Sequence, residues 1–184
     1  MKISVASEKF FRYLKQVKNA SPNTIRNYLR AMNLFEESVK NCEIRDLNLE
    51  KLDDFRDAIF SLRTRKGENL SRRTQNIYLI PVRSFLKFCL KRELDDPILS
   101  PEKIEIIKID PSDVSGLTIE ELNALRDFVA GKSEFINSRD RAIIEMLFST
   151  GLRISELVAL NGENVNLKTR EFSVLGKGKK IRTV

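Results

Sequence analysis

The chain has 184 residues, a formal charge of +7 from 33 Lys and Arg against 26 Asp and Glu, and no histidine. That length allows one medium domain or two small ones, and the cationic excess makes an acidic polymer such as a nucleic acid the natural partner to consider. Without histidine, Cys/His zinc sites and Ser-His-Asp machinery are excluded from this stretch, so any chemistry rests on Arg, Lys, carboxylates, hydroxyls or tyrosine.

Apolar spacing predicts four helices in the first 94 residues. The first covers about Ser7 to Val17, with Phe10, Phe11, Leu14 and Val17 on one stripe. The second opens at Ser21-Pro22, a good N-cap followed by a proline whose missing N–H is not needed there. Its stripe is Ile25, Tyr28, Leu29, Met32, Phe35 and Val39. The third begins near Asn48 and carries Leu52, Phe55, Ile59 and Leu62. The fourth runs from Ser71 to about Leu94 and is apolar nearly all round from Ile77 to Leu90, the pattern of a central helix, with Pro81 expected to kink it. Arg63, Arg65, Lys66, Arg72 and Arg73 surround the start of this helix, with Glu68 the single acid among them. A helix N-terminus with that charge suits phosphate; a solvated basic loop is the plainer alternative.

Residues 95–117 hold three of the five prolines and read as an interdomain linker. A second domain, 118–184, opens on the capping box Thr118-Ile-Glu-Glu121, whose helix carries Leu122, Leu125 and Phe128. Another helix is expected from about Asn137 or Ser138 to Gly151, and a short one from Ile154 to Leu160. The period then changes to that of strands, with Val165, Leu167, Phe172, Val174, Ile181 and Val184 apolar and Gly176-Lys177-Gly178 as a turn. A small sheet with an uncovered edge and face is a poor end to a domain, so further polypeptide is expected after Val184. Part of this domain's core is then expected to be exposed, with residues from about Asn161 onward mobile, paired with another chain or covered by a neighbouring molecule.

Two segments carry chemistry. In Ser149-Thr-Gly-Leu-Arg-Ile-Ser-Glu-Leu157 a helix stops at Gly151 and another starts at once, fixing Arg153 at a corner where its guanidinium can grip a phosphate. The alternative is an arginine tying the corner together through Glu156. In Leu175-Gly-Lys-Gly-Lys-Lys-Ile-Arg182, glycines flank Lys177, which could reach a phosphate or a leaving oxygen; a charged turn is the alternative.

Thr-Gly-Leu-Arg-x-Ser-Glu-Leu followed by Gly-Lys-Gly-Lys-Lys-x-Arg resembles the Xer-type tyrosine recombinases and phage integrases. The helical half, with Ser-Pro-Asn-Thr-Ile-Arg-Asn-Tyr28, looks like that family's core-binding domain. The resemblance implies a mainly α chain: a four-helix SAM-like N-terminal domain, then an incomplete α+β catalytic domain with a small antiparallel sheet. It implies a double-stranded DNA partner, tetramers on two DNA sites for full-length members, no metal and no ATP. A tyrosine attacks the scissile phosphate and leaves a 3′-phosphotyrosyl link and a free 5′-hydroxyl. Arg153 matches the first catalytic arginine, stabilising charge on the reacting phosphate, and Lys177 the hairpin lysine, a general acid once DNA burial and neighbouring cations lower its pKa. Arg26, Arg30, Arg63, Arg65, Lys66, Arg72, Arg73, Lys179, Lys180 and Arg182 are the candidate DNA contacts.

The departures are equally plain. The family's His-x-x-Arg box, its later His or Trp and its tyrosine nucleophile have no counterpart here, since His and Trp are absent and Tyr13, Tyr28 and Tyr78 all fall in the helical half. The chain is therefore expected to bind DNA and not to cut it. A naturally short, non-catalytic regulator of recombination and a helical protein-interaction module are the alternatives. Two cysteines, no apolar run of membrane length and an N-terminus without a signal-peptide core suggest a cytoplasmic protein with reduced thiols and no membrane contact.

Overall fold

The computed structural model describes residues 1–95, 98–109, 115–129, 133–176 and 180–184. These divide into two compact units, Met1–Ser112 and Asp113–Val184. The chain is mainly helical with a small antiparallel sheet, as the sequence implies.

The first unit is built on α1 (Ile3–Gln16), α2 (Pro22–Ser38), α3 (Leu49–Ser61) and α4 (Arg72–Lys91). Side-chain caps set where three of them begin. Ser21 Oγ accepts from the Thr24 N–H and Ser71 Oγ from the Thr74 N–H, each at 3.2 Å, while Asn48 Oδ1 accepts from the Lys51 N–H at 3.0 Å. Each cap satisfies a donor that the first helical turn leaves free. α1 starts earlier than its apolar stripe suggests, because tertiary bonds order its first turn. The Ile3 N–H reaches the Cys42 carbonyl and the Ile44 N–H reaches the Met1 carbonyl. Its buried face is then Ile3, Ala6, Ser7, Phe10 and Leu14, and Val17 falls outside the core. In α2, likewise, Leu29 is exposed and Ala31 takes the inner position beside Met32 and Phe35.

α4 packs against α1, α2 and α3 and runs through Pro81 to Lys91. Tyr78, Leu79, Val82, Phe85, Leu86, Phe88 and Cys89 are buried, whereas Ile77, Ile80 and Leu90 face outward. Aromatic rings dominate the centre: Phe10 meets Phe85 edge-on at 5.7 Å and Phe35 meets Phe55 at 5.0 Å. Burial pushes the Cys89 thiol up to about 12, consistent with an inert packed side chain. Much of the segment expected as linker belongs to this unit. Pro101 and Ile104 are fully enclosed, and Ile98, Leu99, Ile106 and Ile107 lie against the same core.

The second unit comprises α5 (Ile119–Val129), α6 (Glu134–Thr150), α7 (Ile154–Val158) and strands β1 (Val165–Asn166), β2 (Glu171–Leu175) and β3 (Ile181–Thr183). The strands are antiparallel in the order β1-β2-β3, with Val165 opposite Phe172 and Leu175 opposite Ile181. The capping box forms: the Thr118 N–H donates to Glu121 Oε2 at 2.8 Å, and the Glu121 N–H to Thr118 Oγ1 at 3.2 Å. α6 starts at Glu134, a turn before the expected position, and ends on Gly151 at φ +62°, the left-handed cap expected of a glycine. Leu152, Phe172 and Val174 form the buried cluster, with Met146, Leu147, Leu157 and Leu160 against it. Among the described residues no helix is long and apolar enough to cross a membrane.

Candidate DNA-contact surface and phosphate-binding corner

In the first unit the cations gather at one end of α4. The loop before it is folded on itself: Arg63 bridges Asn69, the Thr64 N–H donates to the Glu68 carbonyl at 2.8 Å, and Gly67 sits at φ +80°. Thr64 Oγ1 also accepts from the Lys66 and Glu68 N–H groups. This turn holds Arg65 and Lys66 outward, and both are exposed, as are Arg72 and Arg73. Those two arginines open α4, whose first turn contains no acid. Positive side chains at the positive end of a helix dipole cost stability, so an anion there relieves an unfavourable field. Arg63 is placed differently: its Nη1 donates to the Phe60 and Leu62 carbonyls at 2.7 and 3.1 Å and caps the end of α3. On α2 both Arg26 and Arg30 are exposed. The Arg30 guanidinium lies 5.8 Å from the centre of the Tyr78 ring, which ties it to the α2–α4 seam.

In the second unit the corner is organised by a carboxylate. Thr150 Oγ1 donates to the Met146 carbonyl, Gly151 reverses the chain, and Leu152 turns into the core. Arg153 is left at the head of α7. Its backbone N–H donates to Glu156 Oε2 at 2.8 Å and its Nη1 to Glu156 Oε1 at 3.0 Å. The same carboxylate receives Arg182 from β3: Nη2 to Oε2 at 3.0 Å and Nη1 to Oε1 at 3.4 Å. The Glu156 side chain is 6% exposed, whereas those of Arg153 and Arg182 are 60% and 39% exposed. One buried acid thus holds two guanidiniums whose outer faces remain in solvent. The Arg153 N–H bond, then the two guanidiniums, hold the Glu156 carboxyl below its usual range against the opposing effect of burial.

Gly176, just after β2, adjoins this cluster. A side-chain carbon at Gly176 would stand 3.4 Å from the Lys180 carbonyl, 3.7 Å from Arg182 Nη1 and 3.8 Å from Glu156 Oε1. The Gly176 N–H donates to the Lys180 carbonyl at 2.8 Å, and Lys180 is exposed. Lys177 and Lys179 lie outside the described residues. Arg153 and Arg182 therefore share one acceptor, Glu156, while Arg63 spends its donors on the end of α3. Sequence reasoning missed Glu156 as a shared hub. Its spacing from Arg153, three residues on, carries a local signal, but its bond to Arg182 spans 26 residues and has none.

Tyr13, Tyr28 and Tyr78 all serve the first unit. Tyr28 lies 6.0 Å from Phe10, Tyr13 lies 5.1 Å from Phe88, and Tyr78 is buried on α4.

Comparison with known proteins agrees with this layout. Residues 8–93 match the family described as phage integrase, N-terminal SAM-like domain, and residues 116–184 match the phage integrase family. The tyrosine recombinase XerC of Chlamydia caviae is 32% identical over 192 residues, covering 95% of this chain and 60% of that protein. The XerC of Mannheimia succiniciproducens is 32% identical over 177 residues, covering 95% and 57%. The chain thus spans about 60% of the length of the curated relatives it matches. A solved structure of a lambda integrase dimer bound to a COC′ core site superposes with a TM-score of 0.72 at 11% identity, over all of this chain and 48% of that one, a likeness of fold alone. The two family models and the XerC relatives together place the chain in the tyrosine recombinase, or phage integrase, family.

Proposed function

We propose that this chain is a duplex-DNA-holding part of a site-specific tyrosine recombinase, carrying the first catalytic arginine but no nucleophile. The observation that carries the reading is the Glu156-centred corner, which presents two anchored and outward-facing guanidiniums. Donors fixed in advance stabilise charge as it grows on a reacting phosphate without paying for reorganisation at that moment. In this reading Arg153 grips the scissile phosphate, Glu156 orients that arginine, and Lys177 protonates the leaving 5′-oxygen. Arg65, Lys66, Arg72, Arg73, Arg26 and Arg30 hold the duplex by its phosphates, with Lys179 and Lys180 as further phosphate contacts. Strand transfer also requires a tyrosine beside this corner. Tyr13, Tyr28 and Tyr78 are committed to the other unit's core, so this chain alone binds without cleaving. Assembly into tetramers on two DNA sites belongs to the same proposal.

Fluorescence anisotropy with a labelled duplex tests it. Binding should weaken steeply with salt, as counterion release requires. A duplex with a nick that traps covalent adducts should yield none with this chain. Binding that ignores salt, or a covalent adduct, would contradict the reading. Arg153→Ala should weaken binding while leaving the salt dependence largely intact, since most phosphate contacts lie elsewhere.

A further inference from the structure

We infer that residues 98–107 form a strap that carries the chain back along α4, and that Asn76 pins its end beside the cationic loop. This inference rests on the DNA reading above for its consequence, though not for its geometry. The chain leaves α4 after Lys91, at the end of the helix opposite the basic cluster. Fifteen residues of helix separate Lys91 from Asn76, roughly 22 Å along the axis. The strap recovers that distance. Pro101 and Ile104 are buried in the core as it returns. Asn76, itself 6% exposed, then takes both main-chain groups of Ile107: Nδ2 donates to the Ile107 carbonyl and the Ile107 N–H donates to Oδ1, each at 2.9 Å. A side-chain amide here stands in for a strand partner. An apolar residue of similar size would leave two backbone groups unpaired at a partly buried place.

The pin determines where the second unit is tethered. Thr118 opens α5 eleven residues beyond Ile107, so the covalent reach from the pin is at most about 40 Å. Measured from Leu94, just beyond the end of α4, it would be roughly 80 Å. The described strap therefore ends at the basic end of α4, and eleven residues of chain lead from Ile107 to Thr118. A second unit tethered this way meets a duplex already held by the first at a higher effective concentration. Asn76 is in this sense a positioning residue: it touches no phosphate and acts through the exit point of the chain.

Amide exchange and duplex binding on the whole chain decide the matter. In the native chain the Ile107 amide should be protected. Asn76→Ala should lose that protection while α2 and α3 keep theirs, and Asn76→Asp, which retains the acceptor, should fall between. Inserting twelve Gly/Ser residues after Lys108 roughly doubles the lead without touching the pin. It should weaken binding to a duplex of about three turns about threefold, the loss expected from the −3/2 power of tether length. A duplex of about one turn, which one unit fills, should be bound equally by both chains. An unprotected Ile107 amide in the native chain overturns the pin. Equal affinity of the native and extended chains for the long duplex overturns its role as a tether. If the native chain binds neither duplex, the DNA reading fails and the tether role with it, while the exchange result still decides whether Asn76 pins the strap.

Discussion

The two units use their aromatic and aliphatic residues in opposite ways. In the first, Phe10, Phe35, Phe55 and Phe85 are fully enclosed, and four helices and a strap converge on them. In the second, Phe128 and Phe135 are 80% and 79% exposed, no residue of α6 is buried, and the cluster rests on Leu152, Phe172 and Val174. Yet the finest polar geometry belongs to the second unit, at the Arg153–Glu156–Arg182 corner. Core volume and site precision are therefore separate properties here. The first unit is held by packing and offers a diffuse cationic surface; the second is held by caps and ion pairs and offers one defined point.

Core truncation should separate the units most sharply. Phe85→Ala removes a ring at the centre of the aromatic cluster and should cost about 3–5 kcal/mol, a large share of a typical domain's stability. Phe172→Ala should cost less, about 3 kcal/mol or below, because a thinly packed site relaxes around the loss. Urea denaturation followed separately in each unit checks the order, and equal costs would break the contrast.

Next in size is Gly151→Ala. The left-handed conformation at φ +62° disfavours any side chain, and the cost should be about 1–2 kcal/mol even though space is open around that position. Because the corner depends on this reversal, Arg153 should lose phosphate affinity as well. Thr118→Ala removes one half of the capping box and should cost about 1 kcal/mol, confined to the second unit.

Acid titration supplies a subtler contrast. The folded-state pKa of Glu156 lies below its ordinary value of 4.5. Its contribution is then fully present above the unfolded value and is lost as pH falls through the lowered folded one. Glu156→Gln should therefore flatten the acid limb of the second unit's stability below about pH 4.5 and leave the first unit's unchanged. An unaltered acid limb would mean the carboxylate is not held as described.

What could be read from the sequence follows the range of the interactions. Helix starts at Pro22, Leu49, Arg72 and Ile119, and the stop at Gly151, depend on residues within four positions and were legible from Ser, Asn, Thr and Gly at those places. The start of α1 was not, because the Cys42 carbonyl orders it from 39 residues away. The strap's place in the core is not legible for a related reason. Prolines and serines describe its backbone correctly, but Ile104 and the Asn76 bond, 31 residues apart from Ile107, give it a place in the core. At the corner, Arg153 stood out through its motif. The bond from Arg182 to Glu156 spans 26 residues and leaves no local signal, whereas Arg63 caps α3 through carbonyls one and three residues away.

The central claim is that the exposed cations around the start of α4 hold a duplex through its phosphates. The decisive measurement is the slope of log affinity against log salt for the native chain and for a chain with Arg65, Lys66, Arg72 and Arg73 all replaced by Ala. Each lost phosphate contact should reduce the slope by about 0.9, so a fall of about 3 to 4 is predicted with the helical fold intact. An unchanged slope in a properly folded variant would show that the duplex, if bound at all, is held elsewhere.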